Sequence, residues 1–286
     1  MQYIRLGMMI LSLLASSANA GGKGEDKSQY NLFCPVPAHK LREMTTDRPD
    51  KTEGPFTIDA GHYQIEFDIA AYTYERNKHD HSRKTAYAIF APELRVGLLD
   101  NLEFELIIPS FNSVKTKDTE TGESSHNQGL DDMLLRWKYN LWGNEGKGST
   151  ALGFIPFVKL PTNQDNLGNN SYDVGFIIPL DIKITDRLGL GLMTEMDYQR
   201  GEDVRRHVFN FVNSASLAYD FTEKTSGFVE IFTERATEHG SKWNITLDFG
   251  GSYGVTDNLQ LDAGVYVGLS RRAENITPFL GMSCRF

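Results

Sequence analysis

The sequence predicts an all-β fold: a transmembrane antiparallel β-barrel of about twelve strands, preceded by a polar N-terminal extension. Three observations predict it. Segments of about ten to fourteen residues alternate apolar and polar side chains from His62 onward, short turns alternate with longer polar loops, and aromatic residues fall near the strand ends. No stretch approaches the roughly 18 consecutive apolar residues that a membrane helix requires.

Residues 1–20 predict a secretory signal peptide. Arg5 precedes an apolar run over 6–15, and Ala18, Asn19 and Ala20 form an A-x-A cleavage site before Gly21. Residues 21–58 are polar and rich in proline, with no sustained period of 2 or 3.6, and we expect a periplasmic or lumen-tucked extension there. The outer-membrane barrel is expected over residues 59–286.

The strand segments show the period of 2 that places alternate side chains on opposite faces of a sheet. The first segment sets apolar against polar residues, and the segment 102–108 repeats the pattern with Glu103 and Glu105 on its polar face. Further segments lie at 133–139, 174–184, 190–198, 243–249 and 259–267, and the pattern blurs over 226–235. The first segment alternates Tyr63, Ile65, Phe67 and Ile69 with Gln64, Glu66 and Asp68.

The connections alternate in length along the chain. Short turns are predicted at 100–101, 143–148, 186–187, 223–224 and 257–258, and longer polar loops at 76–83, 116–128, 162–170, 200–207, 236–240 and 270–275. Short periplasmic turns and longer external loops are typical of outer-membrane barrels. A soluble β-sandwich is the alternative, but the apolar face of each segment carries no charge, which favours lipid.

Aromatic residues and the C-terminus fit the same topology. Two interfacial girdles are predicted, and the last strand ends on Phe286 with Leu280 and Met282 placed as in the C-terminal signal that the barrel assembly machinery reads. The outer girdle would contain Tyr72, Tyr74, Tyr172, Tyr198 and Trp243, and the periplasmic girdle Tyr139, Trp142, Tyr219, Phe221 and Tyr253.

The polar faces of the predicted strands are crowded with charges that would line the lumen. They form either a solute path or a set of inter-strand ion pairs that fill a narrow barrel, since eight strands are just filled by side chains and sixteen leave a channel. These lumen-lining candidates are Glu66, Asp68, Glu103, Glu105, Asp132, Arg136, Lys138, Lys159, Lys183, Glu195, Asp197, Asp248 and Asp262.

Other chemistries find little support. The net charge of -9 argues against nucleic acid as a partner. The spacing of Glu103 and Glu105 is that of one strand face rather than of a glycosidase, and His79 and His81 lack a third metal ligand. We therefore expect no cofactor, no metal and no catalytic residue.

Two further residue pairs are weighed as alternatives. His239 and Ser241 lie at a predicted external rim, where outer-membrane phospholipases place a base and a nucleophile, but no residue is found to orient the histidine. Cys34 and Cys284 could bridge the extension to the last strand in an exported protein, although unpaired side chains are the favoured interpretation.

The segment TDRPDKTEGPFTIDAGHYQIE, residues 46–66, resembles the start of the phenol-degradation meta-pathway family of outer-membrane transporter proteins. The resemblance implies a twelve-strand-like barrel with a transport function. Gly54 stands where a serine is expected. The residues that match the opening motif are Asp47, Arg48, Pro49, Asp50, Thr52 and Glu53.

A physical role for this motif is a plug or gate. Pro49 and Pro55 stiffen an extended segment, whose charges could pair with the lumen wall. The alternative is a periplasmic lead-in that only caps the first strand.

The sequence as a whole predicts a channel in the cell outer membrane for passive or facilitated passage of small solutes, aromatic or hydrophobic ones by the resemblance. The alternatives are a rim hydrolase and a non-conducting structural or binding barrel. Expected partners are outer-membrane lipid and lipopolysaccharide, the barrel assembly machinery and a small solute.

Overall fold

A computed structural model describes residues 26–77, 81–201 and 206–286, so the predicted signal peptide lies outside the described residues. A short 3-10 helix, Ala38–Lys40, precedes the β-strands. The strands are β1 (Tyr63–Asn77), β2 (Ser82–Leu99), β3 (Leu102–Ile107), β4 (Phe111–Asp118), β5 (Ser124–Leu130), β6 (Met133–Trp142), β7 (Thr150–Leu160), β8 (Asp173–Lys183), β9 (Leu188–Arg200), β10 (His207–Asp220), β11 (Thr225–Ala236), β12 (Asn244–Thr256), β13 (Leu259–Gly268) and β14 (Ile276–Arg285).

These strands close into a barrel. Each pairs antiparallel with its neighbours, and β1 pairs with both β2 and β14. β3 and β4 pair with successive halves of β2 and form one interrupted strand, and β5 and β6 form a second one beside it. The wall therefore has 12 strand positions, which confirms the predicted fold class.

The two interruptions lie next to each other in the wall. Pro109 stands between β3 and β4, where proline cannot donate to the ladder. The loop 161–172 covers the far edge of β5, because the Gln164 N–H donates to the Leu130 carbonyl at 2.9 Å. The wall is thus continuous, but its strand pairing is irregular at the two breaks.

The two faces of the wall differ as the alternation predicts. Large apolar side chains on outward positions are exposed, for example Leu217, Ile231 and Phe249. Many of their strand neighbours that point inward are polar or charged, as are Ser216, Glu230 and Asp248. A soluble sandwich would bury such a belt, whereas lipid covers it in a membrane. No helix among the described residues is long and apolar enough to cross a membrane.

Two expectations from the sequence are wrong in detail. Parts of the predicted loops 76–83 and 116–128 are strand, since β1 runs to Asn77, β2 begins at Ser82, and β4 and β5 occupy 116–118 and 124–128. Neither face of these polar hairpin strands is apolar, so the period-2 signal disappears there. The segment 226–235, where the pattern blurred, belongs to the regular strand β11. Its inward face mixes Phe228 and Phe232 with Glu230, which removes the contrast between the two faces.

Residues 26–44 cover the end of the barrel that carries the short turns, which is the periplasmic end by barrel topology. Asn31 forms a bridge with Leu99, and the Val36 N–H donates to the Ala60 carbonyl at 3.0 Å. A Cβ at Gly97 would lie 2.2 Å from the Asp59 carbonyl oxygen, so glycine permits this close packing. Cys34 and Cys284 are both free.

Candidate functional site: the lumen and the plug segment

Residues 45–57, here called the plug segment, lie inside the barrel and contact its wall on several sides. Near its start, the Thr45 carbonyl accepts a hydrogen bond from Gln64 of β1 at 2.7 Å. Near its end, the Pro55 carbonyl accepts one from Asn140 of β6 at 2.8 Å. The extension therefore does more than lead into the first strand.

Asp47 ties the plug segment to itself and to the wall. One carboxylate oxygen accepts the Gly54 N–H at 2.9 Å, which holds the two limbs of the segment together. The other lies 2.9 Å from the Arg95 guanidinium of β2 and in contact with the Lys138 ammonium of β6. The Asp47 N–H also donates to Glu66 at 3.0 Å.

Arg95 is the most connected wall residue in this network and is fully buried. Its guanidinium lies 2.7 Å from Glu66 and 2.7 Å from Glu103. It also donates to the backbone carbonyls of Thr45 at 3.4 Å and Phe56 at 2.9 Å, so both ends of the plug segment meet at this side chain.

Lys138 completes the charge cluster on this side of the lumen. Its ammonium lies 2.8 Å from Glu105 and 3.6 Å from Glu103. Carboxylate oxygens of Asp47, Glu103 and Glu105 lie within 4.8 Å of one another, an arrangement that could hold a metal ion. Because Arg95 and Lys138 already neutralise much of this charge, an ion-paired network fits the donor set better than a metal site.

Arg48 holds the plug segment to another part of the wall. Its guanidinium lies 2.7 Å from Asp262 of β13 and 2.9 Å from Asp68 of β1. A Cβ at Gly281 of β14 would lie 1.9 Å from the Arg48 side chain, so glycine at this inward position makes room for it. The following peptide bond, to Pro49, is cis, and the Pro49 carbonyl lies within 3.4 Å of the Tyr266 hydroxyl.

The middle of the plug segment reaches the wall formed by β10 to β13. The Lys51 ammonium lies 3.0 Å from Asp248 and stacks over the Tyr266 ring at 4.1 Å. The Thr52 hydroxyl donates to Glu230 of β11 and lies 2.6 Å from the Ser214 hydroxyl of β10.

Glu53 and Asp50 complete the contacts of the motif. Glu53 accepts a charge-assisted hydrogen bond from Arg136 of β6. Burial raises the pKa of Asp50 to about 7, and the nearby Glu230 and Asp47 carboxylates add to this effect. Asp50 therefore titrates near neutral pH in the docked segment.

A second cluster fastens the extension at the periplasmic end. The Asp59 carboxylate lies 3.0 Å from Lys27 and 3.2 Å from Arg42. Arg42 also lies 3.3 Å from Asp100 and 3.4 Å from Glu145, both in short periplasmic turns. This cluster, here called the periplasmic latch, joins the residues before the plug segment, Lys27 and Arg42, to Asp59, which follows it.

The remaining lumen candidates lie away from the plug segment or beside it. Asp132 and Lys159 are 2.7 Å apart near the external end, where Lys159 also lies 2.9 Å from Asp173. Asp197 accepts a hydrogen bond from Asn210 at 3.0 Å.

Lys183 is half exposed at the periplasmic rim and pairs with Asp186, so the structure does not bring it into the central network. Glu195 lies on the same inward face of β9 as Asp197.

One sector of the lumen wall is apolar. Ile155, Ile177, Met193 and Val212 form a buried cluster on the inward face of β7 to β10, and Phe157 and Phe232 pack against it. The Glu53 N–H contacts the Met193 sulfur at 3.4 Å, so the plug segment borders this cluster.

A cavity of about 350 Å³ lies below the apolar sector, at the periplasmic end. It lies between Phe56 of the plug segment and the wall of β7 to β10. Small residues such as Gly189 and Ala218 leave this space, and Asp181 is an acid among its lining residues.

Several functional residues escaped the sequence analysis. Arg95 alternates with Leu94 and Val96 in β2, and this period-2 pattern could have identified it as inward-facing. Lys51 stands inside the recognised motif but was left out of it.

The positions of His239 and Ser241 give little support to the hydrolase alternative. Among the described residues, no hydrogen bond joins His239 to Ser241, and the Ser241 N–H donates to the Glu238 carbonyl at 3.1 Å instead. A base must lie within hydrogen-bond reach of its nucleophile, although such contacts can be long without substrate.

The fold and this occupied lumen define an outer-membrane β-barrel with an internal N-terminal segment. The model of the family described as "Putative MetA-pathway of phenol degradation" matches residues 46–286, so the chain belongs to that family and the resemblance found in the sequence is confirmed. The match begins at the plug segment and runs through the last strand.

Solved structures share the barrel. The COG4313 outer membrane channel from Pseudomonas putida F1 has a TM-score of 0.62 and 14% identity, covering 85% of this chain and 100% of its own. The NanC porin has a TM-score of 0.51 and 10% identity, covering 77% and 98%. The translocator domain of the autotransporter NalP from Neisseria meningitidis also has a TM-score of 0.51, with 8% identity, covering 79% and 88%.

These neighbours show the fold, and the protein is placed in the outer membrane. Because a porin and an autotransporter translocator share this barrel at low identity, the fold does not choose between their functions. No curated protein matches the chain.

Proposed function

We propose that this protein is an outer-membrane channel for small solutes whose lumen is closed by the plug segment. The observation that carries the proposal is the ion pairing of residues 45–57 to separate parts of the wall, through Arg48 to Asp262, Lys51 to Asp248 and Glu53 to Arg136. A barrel of twelve strands is wider than the eight-strand barrels that side chains just fill. A segment placed across such a lumen supports a closed channel better than a merely structural barrel.

The apolar sector supports a solute with an apolar part. Ile155 and Ile177 face inward among the charged positions of the lumen, where a purely ionic path would be lined by polar groups. Binding sites for small organic molecules are largely apolar with a few polar groups that orient the ligand. We infer a small, weakly charged solute, and an aromatic one agrees with the family description of phenol degradation.

The periplasmic cavity lies where the smallest movement of the plug segment would open a continuous path through the barrel. It adjoins the plug segment at Phe56 and opens between the short turns. A solute that passes the apolar sector would leave the barrel there. Transport rather than catalysis is inferred, since the acids and bases that contact the plug segment, such as Asp262, Asp248 and Arg136, are engaged in ion pairs with it.

The test replaces residues 46–55 with a short Gly-Ser linker. Such a linker can span the gap because Arg95 contacts the carbonyls of both Thr45 and Phe56. The periplasmic latch and all strands stay in place. In planar bilayers, the linker variant should show larger conductance steps than the full-length protein, and liposomes containing it should take up small aromatic solutes faster.

The matched control is a linker of the same length inserted in the external loop 270–275, with the plug segment left intact. It should conduct as the full-length protein does. A linker variant that folds, as judged by its heat-modifiable mobility, and that neither conducts nor admits solute contradicts the channel proposal and favours a structural or binding barrel.

A further inference from the structure

Outward-facing cations gather at the external end of four neighbouring strand segments. In the register of the sheet, Arg76 of β1 lies opposite Arg83 of β2, and Arg83 lies opposite Lys117 of β4. Lys115 of β4 lies opposite His126 of β5. Directly opposed residues of an antiparallel pair point to the same face, so these side chains form one surface, here called the cation patch.

The alternation of the strands shows that this surface faces away from the lumen. Tyr72 and Tyr87 have the same parity as Arg76 and Arg83, and their rings meet on the outside of the wall, with centroids 5.0 Å apart. Lys84, of opposite parity, instead pairs at 2.8 Å with Glu274 in the loop between β13 and β14.

Three cations of the patch, Arg83, Lys115 and Lys117, have no acidic partner in the part of the chain that the structure describes. Among the described residues, no ion pair or side-chain hydrogen bond engages Arg83, Lys115 or Lys117, and the like charges of Arg83 and Lys117 stand directly opposite each other. Directly opposed like charges destabilise a sheet. Within the described ranges, the nearby acids are Glu75 and Asp118, which have inward parity, and Glu120 and Glu123 in the β4–β5 turn, of which Glu120 lies 3.5 Å from His81. An external anion would relieve the repulsion.

The height of the patch matches the lipid head groups. Tyr87 is exposed on the outer wall, and its ring contacts that of Tyr72, a residue of the predicted outer aromatic girdle that would mark the membrane interface. Lys115 lies level with Thr85 and Arg83 lies four residues from Tyr87. With a strand rise of about 3.3 Å and a tilt of about 40°, these cations lie roughly 5 to 10 Å beyond the level of the Tyr72 and Tyr87 rings. The head-group region occupies about this depth.

We infer that the cation patch binds the phosphorylated head group of lipopolysaccharide in the outer leaflet of the outer membrane. The chemistry is that of charge-assisted hydrogen bonds from guanidinium and ammonium groups to phosphate oxygens. Lipid A carries phosphates on a rigid sugar unit, so it can engage Arg83 and Lys117 on one side and Lys115 on the other. A partner in the outer leaflet also explains why the cations lie on the lipid side of the wall.

The test measures binding of defined lipids to the full-length protein in detergent by native mass spectrometry. Bisphosphorylated lipid A should bind more tightly than dephosphorylated lipid A or phosphatidylglycerol. The variant with Arg83, Lys115 and Lys117 each replaced by glutamine should bind lipid A roughly ten- to a hundredfold more weakly at low salt.

The matched control replaces Lys147, Arg187 and Lys224 with glutamine, which removes the same charge at the periplasmic turns. It should bind lipid A as the unmodified protein does. An equal loss in both variants, or equal affinity of the unmodified protein for all three lipids, overturns the inference. Should the patch variant fail to fold, the comparison of the three lipids on the unmodified protein still decides it.

Discussion

Replacing Arg95 with methionine tests whether buried charge pairing keeps the plug segment docked. Arg95 and Lys138 together face the carboxylates of Asp47, Glu66, Glu103 and Glu105. The replacement leaves Lys138 as the remaining cation of this cluster. It also removes the donor that reaches the carbonyls at both ends of the plug segment.

The size of the effect follows from the burial of the group. Removing one partner of a buried ion pair costs about 3 to 5 kcal/mol, because the other partner is left buried without compensation. Release of the plug segment would relieve that cost, since water could then enter and hydrate Glu66 and Glu103. A cost of this size that applies only to the docked state shifts the docking equilibrium by roughly two to three and a half powers of ten.

The assay is single-channel recording in planar bilayers, with heat-modifiable mobility as the measure of folding. The Arg95→Met variant should spend far more time in large conductance steps than the full-length protein. Arg95→Lys should fall between the two, because lysine keeps the charge but cannot form the guanidinium's fork of contacts. A folded Arg95→Met barrel that stays as closed as the original protein would refute the reasoning.

Three further predictions concern the same lumen. With the two native cysteines replaced, a disulfide between Thr52→Cys and Ser214→Cys, whose hydroxyls lie 2.6 Å apart, should abolish the large conductance steps until it is reduced; oxidised channels that still open would contradict plug movement. The raised pKa of Asp50, about 7, means that docking of the plug segment takes up a proton. Docking should therefore weaken as pH rises from about 4 through 7, so that the open time of the channel increases with pH. Asp50→Asn should flatten this increase, and an unchanged pH profile in that variant would contradict the assignment. Ile177→Asn should slow liposome uptake of aromatic solutes more than it changes ion conductance, and equal effects on both would remove the apolar sector from the solute path.

The sequence predicts the barrel well because strand alternation is a local signal. Glu103 and Glu105 alternate with apolar neighbours, and both are buried on the inner face, as their parity requires. Parity carries information only while the register is regular. β1 shifts register between Asp68 and Ala70, so residues beyond that point change face, and the sequence shows no mark of the shift.

The contacts of the plug segment could not be predicted in the same way. The motif itself is recognisable, but Arg48 meets Asp262, which lies 214 residues further along the chain. Neither residue carries a local pattern that selects the other. Arg95 is not predicted as a lumen residue because Ala88, Pro92 and Gly97 weaken the apolar alternation of β2. The strands β1 and β3 on either side of β2 show this alternation more clearly.

The chemistry of the plug segment suits a closure that can reverse. Its interface with the wall is largely ionic, so release exchanges ion pairs for hydrated charges. The free energy of this exchange is small, because the attraction within a buried ion pair is largely offset by the cost of removing both charges from water. An apolar plug would instead expose its whole contact area to water at each opening. The periplasmic latch of Lys27, Arg42 and Asp59 keeps the released segment tethered beneath the lumen, which holds its effective concentration high and favours rapid return. In the proposed channel, the contacts that close the lumen would thus allow it to reopen without unfolding the wall.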